Sequence, residues 1–277
     1  MLALYRLASK WPLGLLHALG ALLGWLTWLA SPTYRRRFAE NSARAGYDFA
    51  QVRAAIGHAG RMVSETPRLW FGSGVPVHWD GRELIEAAYA AGRGILFLTP
   101  HMGCFEITAQ AAAVRYHAAH GPITVLYRPA RQPALARVIE FARQRAGLQT
   151  APTTLAGVRQ LIRALRAGQA VGLLPDQVPP DGQGLWSPFF GQPAYTMTLA
   201  ARLAQQTGAT VLLAWGERLP RAQGFCVHLL PFDAALSEDL QAAVDQINQA
   251  MEALIRRAPE QYLWGYGRYK KPRSQAT

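Results

Sequence analysis

Residues 94–106 read Gly94-Ile95-Leu96-Phe97-Leu98-Thr99-Pro100-His101-Met102-Gly103-Cys104-Phe105-Glu106. Four consecutive apolar residues, Ile95 to Leu98, suit a strand covered on both faces, as in a parallel sheet. Pro100 has no N–H to give to a ladder, so the strand stops there and His101 falls on the turn that follows. From Met102 onward the chain is Ala-rich and reads as a helix, with Glu106 in its first two turns. Five positions apart within one helix, His101 and Glu106 would point to different faces. With His101 ahead of the helix, an imidazole and a carboxylate can meet. Glu106 would then hold the Nδ1–H tautomer while Nε2 takes a proton from an alcohol. The same pair also suits a histidine that caps the helix and a glutamate bound to a nearby arginine.

Outward from this stretch, short apolar runs alternate with amphipathic ones. Residues 82–91, 155–167 and 198–207 read as helices, as does the Arg-rich run 133–146. A last helix is expected from a Ser237 cap to about Arg257. Strands are expected at 123–127, 170–174 and 210–215, with 225–230 as an antiparallel neighbour. The pattern predicts an α/β fold, a mostly parallel mixed sheet flanked by helices. Residues 34–70 read as two helical segments broken near Gly46. The Gly/Pro-rich stretch 178–195 reads as a loop whose Trp186, Phe189 and Phe190 line a pocket or touch a membrane. Three strand ends carry polar residues: His101 with Glu106, Arg128, and Asp176 with Gln177. Ligand sites gather at the carboxyl ends of strands in open parallel sheets. Arg128 suits an oxyanion, a phosphate or a salt bridge with Asp176. Asp176 suits a positioning role or a plain turn.

Trp11 to Ala30 is 20 residues without a formal charge, the length that crosses a hydrocarbon core of roughly 30 Å. The run is long for a signal peptide and Trp28-Leu29-Ala30 at its end offers no good small-x-small cleavage site. An uncleaved anchor over residues 1–33 is therefore expected, spanning or monotopic, ahead of one domain over 34–277. Arg35, Arg36, Arg37 and Arg44 lie downstream, which places the body on the cytoplasmic side. The chain has 277 residues and a formal net charge of +12, and its only lysines are Lys10, Lys270 and Lys271. Such a balance suits a polyanionic partner. The basic residues are spread over amphipathic helices rather than gathered in a nucleic-acid module, so nucleic acid is not expected. The phosphate-binding and dinucleotide glycine motifs are absent. Cys104 and Cys226 make no disulfide framework. His101-x-x-Cys104 alone completes no metal site, and Cys104 beside His101 is a rival nucleophile.

Four blocks in order resemble the lipid A biosynthesis acyltransferases of the lauroyl/myristoyl type, within the glycerolipid acyltransferase superfamily. They are Gly94 to Gly103 with Glu106, Tyr127-Arg128-Pro129, Asp176-Gln177 with Phe189-Phe190-Gly191, and Gln261-Tyr262-Leu263-Trp264 with Arg268. The resemblance covers nearly the whole chain. It implies an enzyme of the Gram-negative inner membrane that moves a fatty acyl chain from acyl carrier protein to a hydroxyl of a lipid A precursor. His101 would be the general base and Glu106 its partner, with Arg128, Asp176 and Gln177 binding substrate or stabilising the oxyanion. No cofactor is implied, since a thioester is already activated. Cys104-Phe105 departs from the Asn-Trp of many members. Gly265-Tyr266-Gly267 stands where a more basic stretch is usual. A related glycolipid or aminolipid acceptor, hydrolysis of the thioester, and a non-catalytic lipid-binding role are the rival readings.

Overall fold

The structure is a computed structural model that describes residues 2–127, 146–233 and 235–273. Six helices come first: α1 (Leu2–Ala8), α2 (Leu13–Ala30), α3 (Pro32–Arg44), α4 (Phe49–Val52), α5 (Ala54–Ser64) and α6 (Thr66–Phe71). Residues 34–70 are thus four helices rather than two, the first break made by an Asp48–Gln51 capping box.

Strands and helices then alternate: β1 (Val77–Asp80), α7 (Arg82–Ala90), β2 (Ile95–Leu98), α8 (Phe105–His120), β3 (Ile123–Tyr127) and β4 (Leu148–Pro152). After these come α9 (Leu155–Arg166), β5 (Ala170–Leu173), β6 (Gly184–Phe189), β7 (Gln192–Met197), α10 (Leu199–Thr207), β8 (Thr210–Arg218), β9 (Phe225–Pro231) and α11 (Leu240–Arg257). Seven strands form one sheet in the order β1-β9-β8-β2-β5-β3-β4. Only β8–β9 is antiparallel.

All four residues of β2 are buried, as a strand covered on both faces requires. Its side chains alternate between two cores. Ile95 and Phe97 pack with Ile85, Ala112, Ala113 and Tyr116 under α7 and α8. Leu96 and Leu98 join Val171, Leu173, Leu161 and Met251 on the other face.

Two elements depart from the sequence expectation. β4, Leu-Gln-Thr-Ala-Pro, is an edge strand paired only with β3. Half-exposed edges need little apolar character, and its closing Pro152 terminates the ladder. The stretch 178–195 is not a plain loop, because β6 and β7 form an antiparallel ribbon with Pro188 opposite Pro193. Its turn has Phe190 and Gly191 both at positive φ, 46° and 72°, which matches the twist of the strands. Asn248 of α11 pins the ribbon through the Ser187 hydroxyl at 2.9 Å and the Pro188 carbonyl at 3.0 Å. Phe189 and Phe190 are buried in the core, and only Trp186 is exposed. The cap of α11 is Asp239, not Ser237, its carboxylate accepting the Ala242 N–H at 2.8 Å.

Helix α2 carries the expected apolar run, yet one face is packed on the body. A Cβ on Gly60 would lie 1.9 Å from the Gly20 carbonyl, and one on Gly24 would lie 2.1 Å from that of Ile56. Glycines four apart stack on one helix face and let two backbones approach this closely. One turn earlier His17 reaches Glu65 at 3.1 Å, and Glu65 forms a bidentate pair with Arg218 at 2.7 and 2.8 Å. The opposite face, Leu15, Leu19, Leu22, Leu26 and Leu29, is exposed.

Candidate active site

β2 delivers His101 to the carboxyl edge of the sheet, and the neighbouring β5 delivers Asp176 to the same edge. Asp176 takes the His101 backbone N–H on one oxygen at 2.8 Å and the ring Nδ1 on the other at 2.6 Å. Burial works to raise the Asp176 carboxyl, but the His101 charge, both hydrogen bonds and the charge of Arg268 outweigh it and hold its pKa below the ordinary value. An ionised carboxylate only accepts, so Nδ1 is the ring nitrogen that donates to it, and in the neutral imidazole the lone pair then falls on Nε2.

The Nδ1 partner is therefore Asp176, 75 residues away, where the sequence reading had Glu106. Glu106 does lie in the first turn of α8, lining the same cavity as His101, with Trp70 Nε1 at 3.4 Å. Gln177 also lines that cavity. Arg128 falls outside the described residues. Phe105 lies against the imidazole, ring centroids 5.1 Å apart. Cys104 points the other way. It is 1% exposed, and burial first, then the Glu65 charge, push its thiol well up, which keeps it from serving as a thiolate nucleophile. Among the described residues no group of three metal-ligating side chains forms.

The cavity is about 940 Å³ and its wall is mostly apolar, running from Thr99 and His101 past Phe97, Ala109, Ala112 and Val125 beneath α8. Ile85, Phe97 and Val125 line it on the sheet face that α7 and α8 cover, and Leu155, Val158, Leu173 and Leu199 line it from the side of α9 and α10.

The C-terminal block fastens the turn that bears His101. The Leu263 N–H donates to the His101 carbonyl at 3.1 Å, and the Gly103 N–H to that of Gln261 at 2.9 Å. Gly103 has φ 51°, and a Cβ there would lie 1.9 Å from the Gly216 carbonyl, so only glycine fits between α8 and β8. The buried Tyr262 phenol faces Asp176; burial first, then that negative charge, push its pKa well up, so it stays a neutral hydroxyl. Gln261, Tyr262 and Trp70 were not among the residues singled out from sequence for the site. The four blocks resembling the family included the first two, but nothing local to those residues points to His101.

Residues 48–271 match the family model described as bacterial lipid A biosynthesis acyltransferase. The chain belongs to this family. It is 27% identical to the lipid A biosynthesis lauroyltransferase of Escherichia coli over 76% of this chain and 69% of the relative. It is 25% identical to the palmitoleoyltransferase of the same organism, over 76% and 68%. A lipid A biosynthesis acyltransferase of Haemophilus influenzae is 26% identical over 66% of this chain, which spans little more than half, 56%, of that protein. Within the family blocks, the match with the geometry above is direct. The first and fourth meet in the Met102–Tyr262 bridge, and the first and third meet in the His101–Asp176 pair.

Proposed function

We propose that this chain is an O-acyltransferase that moves a fatty acyl group from acyl carrier protein to a hydroxyl of a lipid A precursor. The observation that supports this best is a histidine with its Nδ1 locked by a buried carboxylate, set in the wall of an apolar cavity, in a member of this family. In this reading Nε2 of His101 takes the proton of the acceptor hydroxyl as its oxygen attacks the thioester carbonyl. The carbon–sulfur bond then breaks, and the imidazolium returns the proton to the departing thiolate. Asp176 holds the tautomer and stabilises the imidazolium, as a carboxylate does in a catalytic triad. Glu106 and Gln177 contact the substrate from the same wall, and Arg128 stabilises the oxyanion. The net charge of +12 suits an acidic carrier protein and a phosphorylated glycolipid.

Residues 1–33 act as the membrane-binding element of a domain over 34–277. With one face of α2 packed on α5 and the other a row of exposed leucines, the helix lies in the cytoplasmic leaflet rather than crossing it.

Purified protein given acyl carrier thioester with and without lipid A precursor tests the reaction. The expected product is a lipid heavier by one acyl group, formed by the wild type and not by His101→Ala. Free fatty acid released at the same rate without acceptor would mean hydrolysis instead.

A further inference from the structure

β5 lies inside the seven-stranded sheet, between β2 and β3. Ala170, Val171 and Leu173 are buried, yet Gly172 between them is only half-buried. It pairs with Phe97 on one side and Val125 on the other, and all three line the cavity. Glycine in the middle of a paired strand is unfavourable, because it has the most backbone freedom to lose and no side chain to pack. Nothing in its backbone asks for glycine, since its φ is not in the left-handed range. Among the described residues a Cβ built there meets one atom, Val125 Cγ1 at 3.3 Å, a close contact with the end of a side chain that also lines the cavity. In a closed core such an atom would be surrounded. What the missing side chain provides is space in the cavity floor, opposite Ala109 and Ala112 of α8, which line the same cavity with side chains of one carbon.

Phe97 precedes His101 by four residues, so the Phe97–Gly172–Val125 row lies at most roughly 13 Å inward of the His101 backbone. We propose that Gly172 sets the length of the acyl chain that the cavity accepts. This rests on the acyl-transfer reading, and it names the residue that divides substrates of one class by length. The added methyl of Gly172→Ala takes up about the room of one methylene. Each buried methylene changes affinity by about 4-fold, so two change it by about 15-fold.

The test has two arms, each on wild type, Gly172→Ala, Gly172→Val and Val125→Ala. The first measures displacement of a fluorescent fatty acid by saturated fatty acids of graded length, which needs no catalysis. The second measures kcat/KM for acyl carrier thioesters of the same lengths. Both Gly172 variants should favour shorter chains, discriminating about 4- to 15-fold against the wild-type optimum. Val125→Ala should move the optimum longer. Gly172→Ala should stay folded, which thermal unfolding beside wild type checks, since alanine suits a strand better than glycine while its Cβ presses only on the end of the Val125 side chain among the described residues. An optimum unchanged in folded variants overturns the proposal. A shifted binding optimum with no transfer by any of the four proteins leaves Gly172 as the length determinant and removes the acyl-transfer reading instead.

Discussion

Asp176 grips His101 twice, by the backbone N–H at 2.8 Å and by the ring Nδ1 at 2.6 Å. One carboxylate thereby sets both the position of the turn and the tautomer of the imidazole. The pair joins two strand ends that are adjacent in the sheet and far apart in the chain.

Asp176→Asn keeps the size of the side chain but removes its charge and part of its acceptor capacity. Turnover should fall by roughly 10³- to 10⁴-fold, with KM nearly unchanged. Glu106→Gln leaves the Nδ1 lock in place, so its main effect should be on KM for the acceptor. Steady-state kinetics of both variants separates the two carboxylates. A larger loss of kcat in Glu106→Gln would return the orienting role to Glu106.

Glu65 and Arg218 are each about 1% exposed in their side chains. Glu65→Gln should destabilise the protein by about 3–5 kcal/mol, because it leaves the guanidinium buried and uncompensated. The double variant Glu65→Leu with Arg218→Met should recover much of the loss. Urea unfolding of the three proteins measures both effects, and a double variant weaker than the single would contradict the account.

The packing of α2 on α5 leaves no room for a side chain at Gly60. Gly60→Leu should push the helix off and expose the segment between α2 and α3 to protease, visible as early cleavage near residue 31. Leu22→Asp with Leu26→Asp alters only the exposed face. It should leave the unfolding midpoint in detergent nearly unchanged while abolishing flotation with anionic vesicles.

Acid should weaken the packing of the N-terminal helices on β8. Burial first, then the charges of Arg218 and Arg61, lower His58 from 6.5 to about 3. A depressed folded-state pKa means its contribution is complete above pH 6.5 and is lost as pH falls towards 3. Burial works to raise the Glu65 carboxyl, but the Arg218 charge and the hydrogen bonds from His17 and Arg218 outweigh it and hold it at about 2 rather than 4.5. Its share is lost between about pH 4.5 and 2. Denaturation free energies across this range should fall with pH, and His58→Asn should flatten the upper part of the curve. The same slope in that variant would show that His58 has no part in it.

Much of the frame was legible locally. Ile95 to Leu98 form the predicted strand, Glu106 opens the following helix, and β3, β5 and the β8–β9 pair fall where apolar runs stand between glycines and prolines. Such runs report burial on both faces, a property of a few adjacent residues. β4 escaped because an edge strand needs no such run. The β6–β7 ribbon escaped because Pro188 and Pro193 read as breakers, although each sits where a two-stranded ribbon does not need its N–H.

By itself the sequence determined an α/β chain with polar strand ends, an apolar N-terminal helix and four family blocks. Only the tertiary structure decided which carboxylate holds His101 Nδ1, because the order β2-β5-β3 seats Asp176 beside His101. It alone turned the C-terminal block into a brace on the turn that bears His101 and set Gly172 in the lining of a cavity. Helix and strand periods are read over neighbours in the chain, whereas hydrogen bonds between strand ends depend on which strands become neighbours in space.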